Sequence, residues 1–133
     1  MDAQAREQAR ERAHDRCEYC RLRQAHDFFH SFHIEHIVAR QHRGTDGLEN
    51  LAWACHQCNF HKGTNLAGID PDSNEMVRLF HPRRDRWEDH FEIDGPLIVG
   101  LTAIGRTTAW LLQMNSDERV ELRSVLMALG EWD

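Results

Sequence analysis

Residues 33–63 read HIEHIVARQHRGTDGLENLAWACHQCNFHKG, and this stretch decides the expected fold. The aromatic and branched residues of 28–38 predict a short strand, and Leu51–Ala54 predicts a second one. A loop bounded by Gly44 and Gly47 separates the two strands. Residues 55–62 contain no turn residue and are followed by Gly63, so they predict a short helix with a glycine C-cap. The expected order is strand, loop, strand and helix.

Four cysteines form two pairs of identical spacing, Cys17-Glu-Tyr-Cys20 and Cys55-His-Gln-Cys58. The first twenty residues are rich in arginine and acids and do not resemble a secretory signal, so we expect a cytoplasmic protein, where disulfides are disfavoured. Paired C-x-x-C elements then predict a structural Zn²⁺ site with four thiolate ligands. Redox-active dithiols and ordinary buried thiols are the alternatives.

The composition indicates a small globular protein of 133 residues, 41% hydrophobic and 29% charged. The net charge is −6, but residues 1–63 carry nine Lys/Arg against nine Asp/Glu, and residues 64–133 carry seven against thirteen. An acidic total lowers the expectation of tight non-specific DNA binding. It does not exclude a nuclease, because a bound divalent cation supplies positive charge at the phosphate. The most apolar stretch, residues 96–114, contains Arg106 and is predicted to be core rather than a membrane span.

Several features in sequence order resemble the HNH endonucleases that have a ββα-metal core and a four-cysteine zinc. They are both cysteine pairs, Glu35-His-Ile37, the glycine-containing loop, Asn50-Leu51 and the Cys58-Asn-Phe-His-Lys-Gly63 ending. The resemblance covers about residues 17–63. It implies an α+β fold in which a zinc-braced ββα-metal (HNH) core is joined to an N-terminal helix and a mainly helical C-terminal extension. We expect residues 1–66 to form the nuclease core and residues 67–133 to form an extension packed on it.

The proposed chemistry depends mainly on four residues of the central stretch. His36 is the candidate general base, because imidazole titrates near neutral pH. Glu35 is its neighbour on the strand and would point the other way, as a ligand for the catalytic divalent ion. Asn59 matches the family position of the second metal ligand, and the two oxygen donors suit Mg²⁺ or Mn²⁺. Asn50 matches the family residue that holds the loop and orients the histidine.

Other polar residues near the motif are less specific candidates. His33 shares the strand face of Glu35, and we expect it as a possible auxiliary to the metal or phosphate. Arg40, Arg43 and Lys62 are candidate phosphate contacts, with a solvated charged face as the alternative. His56 and His61 are expected either at the surface or in contact with the metal ligands rather than with the metal itself.

The flanking segments yield more general predictions. Residues 2–16 lack an apolar stripe and predict an exposed helix. Residues 67–74 predict a loop, 91–99 a hairpin, and 104–114 a buried helix. Asn115, with Glu118 three residues later, resembles a capping box that opens a last helix through about Leu129.

The leading functional hypothesis is a metal-dependent endonuclease that hydrolyses phosphodiester bonds in DNA by attack of His-activated water. RNA is the alternative substrate, no membrane partner is expected, and the oligomeric state is open. A catalytically silent zinc-knuckle module that binds nucleic acid or protein is the alternative function. An effector that reuses the fold as a protein-binding surface is a third.

Overall fold

The computed structural model describes residues 2–133, so Met1, with which the predicted nuclease core begins, lies outside the described residues. The chain forms an α+β fold, as predicted, around a β-hairpin followed by a helix. The helices are α1 (Ala3–Arg12), α2 (His56–Lys62), α3 (Trp87–His90), α4 (Ala103–Leu111) and α5 (Asp117–Ala128). The strands are β1 (His33–His36), β2 (Leu51–Ala54), β3 (Ala67–Ile69), β4 (Met76–Arg78), β5 (Phe91–Asp94) and β6 (Leu97–Gly100).

The strand, loop, strand and helix predicted for the central stretch are confirmed. β1 and β2 pair antiparallel, with His33 opposite Ala54 and His36 opposite Leu51. Cys55 is the N-cap of α2, and its side chain accepts a hydrogen bond from the backbone N–H of Cys58. The helix ends at Gly63, whose φ of +51° lies in the region that favours glycine. The sequence therefore forms a ββα unit over residues 33–62.

Helix α1 is present, and most of its residues are exposed, as predicted. Ala9 is fully buried, and the small side chains of this face let the helix approach β2. The guanidinium carbon of Arg6 lies 4.7 Å from the centroid of the Trp53 ring. Arg12 donates hydrogen bonds to the carbonyls of Leu48 (2.9 Å) and Leu51 (2.6 Å). The predicted exposed helix is therefore confirmed, and Ala9 is its one buried residue, where the helix meets β2.

The prediction of a loop over residues 67–74 was wrong for its first part. Residues Ala67–Ile69 form β3, which pairs antiparallel with β4. The strand is short and contains glycine, so its composition does not indicate a strand. Gly68 lies against α4, where an added Cβ would be 3.0 Å from Cγ2 of Thr107. The contact with α4 explains a strand that local sequence does not predict.

The predicted hairpin over residues 91–99 is confirmed as β5 and β6, with Gly95 at φ +58° in the turn. The last helix is also present, but its cap is one residue later than predicted. Ser116 is the N-cap, and its side chain accepts a hydrogen bond from the backbone N–H of Arg119. Asn115 instead exchanges two hydrogen bonds with the backbone of Ile98, at 2.9 and 2.8 Å. The pairing of Asn115 with β6 explains the displaced cap.

Both halves of the chain contribute to one hydrophobic cluster. Trp53 and Phe32 from the ββα region lie in the same cluster as Trp87, Phe91 and Leu126 from the later elements. The indole N–H of Trp87 donates a 2.8 Å hydrogen bond to the carbonyl of Tyr19.

Within residues 2–133, no helix has both the length and the apolar character needed to cross a bilayer.

Candidate active site and metal centre

The two cysteine pairs meet in the interior. The sulfur atoms of Cys17, Cys20, Cys55 and Cys58 all lie within 4.8 Å of one another, and all four residues are buried. The Sγ atoms of Cys20 and Cys55 are 3.7 Å apart. Four sulfurs placed tetrahedrally at about 2.3 Å from Zn²⁺ would be about 3.8 Å apart. The geometry and donor chemistry of the cluster therefore fit a four-thiolate zinc.

The surroundings of the cluster shift the thiol pKa values in opposite directions, and hydrogen bonding by Cys17 raises the pKa of Cys58. Burial raises the pKa of the Cys17 thiol, whereas hydrogen bonding by Cys17 lowers the pKa of Cys20. Nη2 of Arg119, on α5, lies 3.9 Å from Sγ of Cys55. Burial acts to lower the pKa of Arg119, but the cysteine sulfurs outweigh it and raise that pKa overall. The C-terminal helix thus places a cation against the cluster.

Glu35 lies inside the domain, on the face of β1 that packs against α2. Its side chain is 3% exposed and that of Lys62 is 2% exposed, and the two form an ion pair at Oε1 of Glu35. Oε2 of Glu35 accepts a 2.8 Å hydrogen bond from the hydroxyl of Tyr19. Burial raises the pKa of the Glu35 carboxyl, and the charge of Lys62 acts to lower it.

The position of Lys62 differs from that expected of a phosphate contact. Its ammonium is buried and donates a 2.9 Å hydrogen bond to the carbonyl of Ile37 as well as pairing with Glu35. Because these contacts hold the ammonium of Lys62 inside the domain, it does not reach a phosphate at the surface. The sequence places Lys62 at the end of a short helix, but only the packing of α2 on β1 shows which way it points.

His36 lies at the end of β1 and is partly exposed. Its Nε2 lies 2.8 Å from Oδ1 of Asp46, in the glycine-containing loop, and the same oxygen accepts a 3.0 Å hydrogen bond from Arg40. The hydrogen bonds from His36 and Arg40 lower the pKa of the Asp46 carboxyl. Sequence reasoning missed Asp46. The sequence signal for Asp46 was an acidic residue between Thr45 and Gly47. It lies in the loop that connects the strand ending at His36 with the next strand, which pairs with it.

Asn50 is buried and ties the two ends of the loop together. Its Oδ1 accepts a hydrogen bond from the backbone N–H of Val38 (2.9 Å). Its Nδ2 donates to the carbonyls of Val38 (2.9 Å) and Thr45 (2.8 Å). Each of these bonds goes to the loop backbone rather than to the ring of His36. Asn50 therefore holds the segment that carries Asp46.

One open cavity brings together four of the predicted site residues. Glu35, His36 and Asn59 line it, together with Arg40 and other residues of the β1–α2 region, and its volume is about 420 Å³. His33 is outside this lining: its Nε2 lies 3.3 Å from Nδ1 of His56. Arg43 is an exposed residue of the loop with φ +71° and does not line the cavity.

The antiparallel hairpin is followed by a helix, the four-cysteine cluster lies beside them, and an acid-histidine pair ends the first strand. This arrangement is that of a ββα-metal core. The family model described as HNH endonuclease matches residues 17–65. The chain therefore contains an HNH endonuclease domain over these residues. A comparison with curated proteins and one with solved structures each gave no match.

Proposed function

We propose that this protein is a metal-dependent endonuclease that hydrolyses phosphodiester bonds in DNA. The observation that carries the proposal is the convergence of Glu35, His36 and Asn59 on one open cavity inside the HNH domain. A base and two hard oxygen donors on one cavity are the groups that hydrolysis of a phosphodiester requires. A module that only binds has no need of that combination.

His36 is the proposed general base, and Asp46 is its positioning residue. An ionised Asp46 accepts a hydrogen bond from Nε2–H of His36, so that the proton stays on Nε2 and Nδ1 carries the lone pair. That nitrogen can then accept a proton from a water molecule in the cavity. The ion pair of Asp46 with Arg40 keeps the carboxylate in place.

Glu35 and Asn59 are the proposed ligands of a Mg²⁺ or Mn²⁺ ion. His33, whose ring nitrogen lies against His56 outside the cavity lining, is not included among them. A carboxylate oxygen and an amide oxygen are hard donors of the type that these cations prefer. Oε1 of Glu35 is buried and accepts no hydrogen bond of acceptable geometry, although Lys62 pairs with it electrostatically. When bound, the cation would neutralise charge that develops on the phosphate. The chain's own part is to hold the two oxygens beside His36.

We also propose that the four-cysteine cluster holds a structural Zn²⁺. A zinc with four thiolate ligands has no open position for water, so it stabilises the fold and takes no part in hydrolysis. It would join the segment that follows α1 to the start of α2. This link supports the position of Asn59 relative to β1.

One observation favours the alternative of a catalytically silent binding module. The carboxylate of Glu35 is engaged by both Lys62 and Tyr19, as in a purely structural ion pair. In that case the cavity would bind a phosphate group without hydrolysing it.

A nicking assay on zinc-loaded protein separates the two functions. Supercoiled plasmid and labelled RNA are incubated with Mg²⁺, Mn²⁺ or no added divalent ion, and nicked plasmid is then treated with a DNA ligase. We expect metal-dependent nicks that the ligase seals, since the family mechanism leaves 5′-phosphate and 3′-hydroxyl ends. Asn59→Ala is expected to require a higher concentration of metal. DNA binding without cleavage in any divalent metal would contradict the proposal and favour the silent module.

A further inference from the structure

A group of exposed aromatic rings lies beside the proposed active site and has no role in the core. We define the aromatic strip as His30, His56 and Phe60, together with Phe29, which directly precedes His30 in the chain. The rings of His30 and His56 are stacked, with centroids 4.1 Å apart and planes 11° apart. The rings of His56 and Phe60 are 6.4 Å apart with planes 22° apart. Three of the rings are therefore nearly parallel.

Burial in the fold does not account for the aromatic strip. Phe29 is 89% exposed and Phe60 is 71% exposed, and the neighbouring Phe28 is 85% exposed. Exposing several large apolar side chains close together is unfavourable unless the surface has a partner. The loop that carries Phe29 is held in place, because Oδ1 of Asp27 accepts hydrogen bonds from the backbone N–H groups of Phe29 (3.1 Å) and His30 (3.0 Å).

The aromatic strip adjoins the proposed active site along α2. His56 and Phe60 lie one helical turn apart on α2, and Asn59, which lines the cavity, directly precedes Phe60. His33 of β1 contacts His56 through the 3.3 Å approach of their ring nitrogens. A ligand that occupies the cavity and extends along α2 would therefore meet the rings of the strip.

The chemistry of the strip points to one class of ligand. Flat, nearly parallel rings offer stacking faces to other flat rings, and every nucleobase has such a face. In a duplex the base faces are covered by their neighbours, so only unpaired bases can use this surface. The imidazoles of the strip add hydrogen-bonding groups and carry no negative charge.

We propose that the aromatic strip binds unpaired nucleobases by stacking, so that single-stranded segments are the preferred substrate of this protein. Only the link between base stacking and cleavage rests on the proposed function. Binding by the strip is a separate property and is measured separately. Stacking would hold the strand on α2 while its phosphate enters the cavity that Glu35, His36 and Asn59 line.

Fluorescence anisotropy with labelled oligonucleotides tests this proposal on zinc-loaded protein without added Mg²⁺ or Mn²⁺. The probes are single-stranded DNA, single-stranded RNA and a DNA duplex of equal length at one salt concentration. We expect the single strands to bind more tightly than the duplex. Phe60→Ala and Phe29→Ala should each weaken single-strand binding roughly tenfold, given the usual contribution of one stacked base. Trp110→Ala is the matched control, because Trp110 is 61% exposed on α4, outside the strip.

Two further variants distinguish stacking from general apolar contact. Phe60→Trp should retain single-strand binding, because it keeps an aromatic face, and Phe60→Leu should lose it, because it keeps only apolar area. Wild-type affinity in Phe60→Ala and Phe29→Ala, or in Phe60→Leu, would overturn the proposal. Duplex binding equal to single-strand binding would do the same. Strip-dependent binding without cleavage would contradict only the proposed nuclease, and cleavage that is indifferent to the strip would contradict only this inference.

Discussion

Nε2 of His36 lies 2.8 Å from Oδ1 of Asp46, so the candidate base is held by a carboxylate from the loop that joins the two strands of the hairpin. Asn50 fixes this loop through the backbones of Val38 and Thr45. Asn50, the middle residue of the motif, therefore acts on His36 only indirectly. It positions the segment that carries Asp46, and Asp46 positions the imidazole.

Asp46→Asn is expected to slow cleavage about 10- to 100-fold, the usual effect of losing a residue that orients a site group. The amide can still accept a hydrogen bond but lacks the charge that favours the required tautomer. Single-turnover rates with plasmid DNA measure the effect. Asp94→Asn, at an exposed position on β5, is the matched control. Equal rates for Asp46→Asn and the control would show that Asp46 does not position the base.

Lys62→Met is expected to destabilise the protein by about 3–5 kcal/mol, because it leaves the carboxylate of Glu35 buried and without its partner. Urea denaturation followed by circular dichroism measures the free energy of unfolding. The double variant Lys62→Met/Glu35→Gln should recover part of the loss, since no unpaired charge remains. A single variant as stable as the wild type would mean that the buried ion pair does not form in solution.

Metal analysis of the purified protein should find one zinc per chain, and removal of zinc by a chelator should unfold the ββα region. Arg119→Met is expected to lower zinc affinity about 10- to 100-fold, because Arg119 lies against the sulfur of Cys55. Competition with a chromophoric chelator measures the affinity. Arg43→Met, in the exposed loop, should bind zinc as the wild type does. Zinc affinity unchanged by Arg119→Met would exclude a role for α5 in holding the metal.

Stability should fall in acid through the pair of Asp70 and Arg106. The Arg106 guanidinium, with Nη2 2.9 Å from Oδ2 of Asp70, holds the pKa of that buried carboxyl well below its usual range. The pKa of the Asp70 carboxyl is therefore lower in the folded protein than in the unfolded chain. Stability from this pair is complete above the unfolded pKa of about 4 and is lost as the pH falls towards the folded value. Melting temperatures between pH 7 and pH 2.5 should therefore decline less steeply in Asp70→Asn. An identical decline in the two proteins would contradict this assignment.

The sequence predicted the ββα unit and the cysteine cluster well, because strand composition, Gly63 and the repeated C-x-x-C spacing are local signals. It could not predict the interior position of Lys62, since that depends on how α2 packs against β1. Asp46 was missed because its contact with His36 joins residues ten positions apart in the chain, across an irregular loop. Strand β3 and the cap at Ser116 depend on contacts with α4 and Ile98, which no local pattern encodes.

The role of His36 as the base of a metal-dependent nuclease is tested by comparing His36→Ala with the wild type in the plasmid nicking assay. Zinc content and the far-ultraviolet circular dichroism spectrum are measured on the same samples. Because general base catalysis typically contributes 10²- to 10⁴-fold, we expect His36→Ala to nick at least about a hundredfold more slowly in Mg²⁺ or Mn²⁺. Its zinc content and fold should be unchanged. Wild-type nicking rates in a folded, zinc-loaded His36→Ala protein would contradict this role.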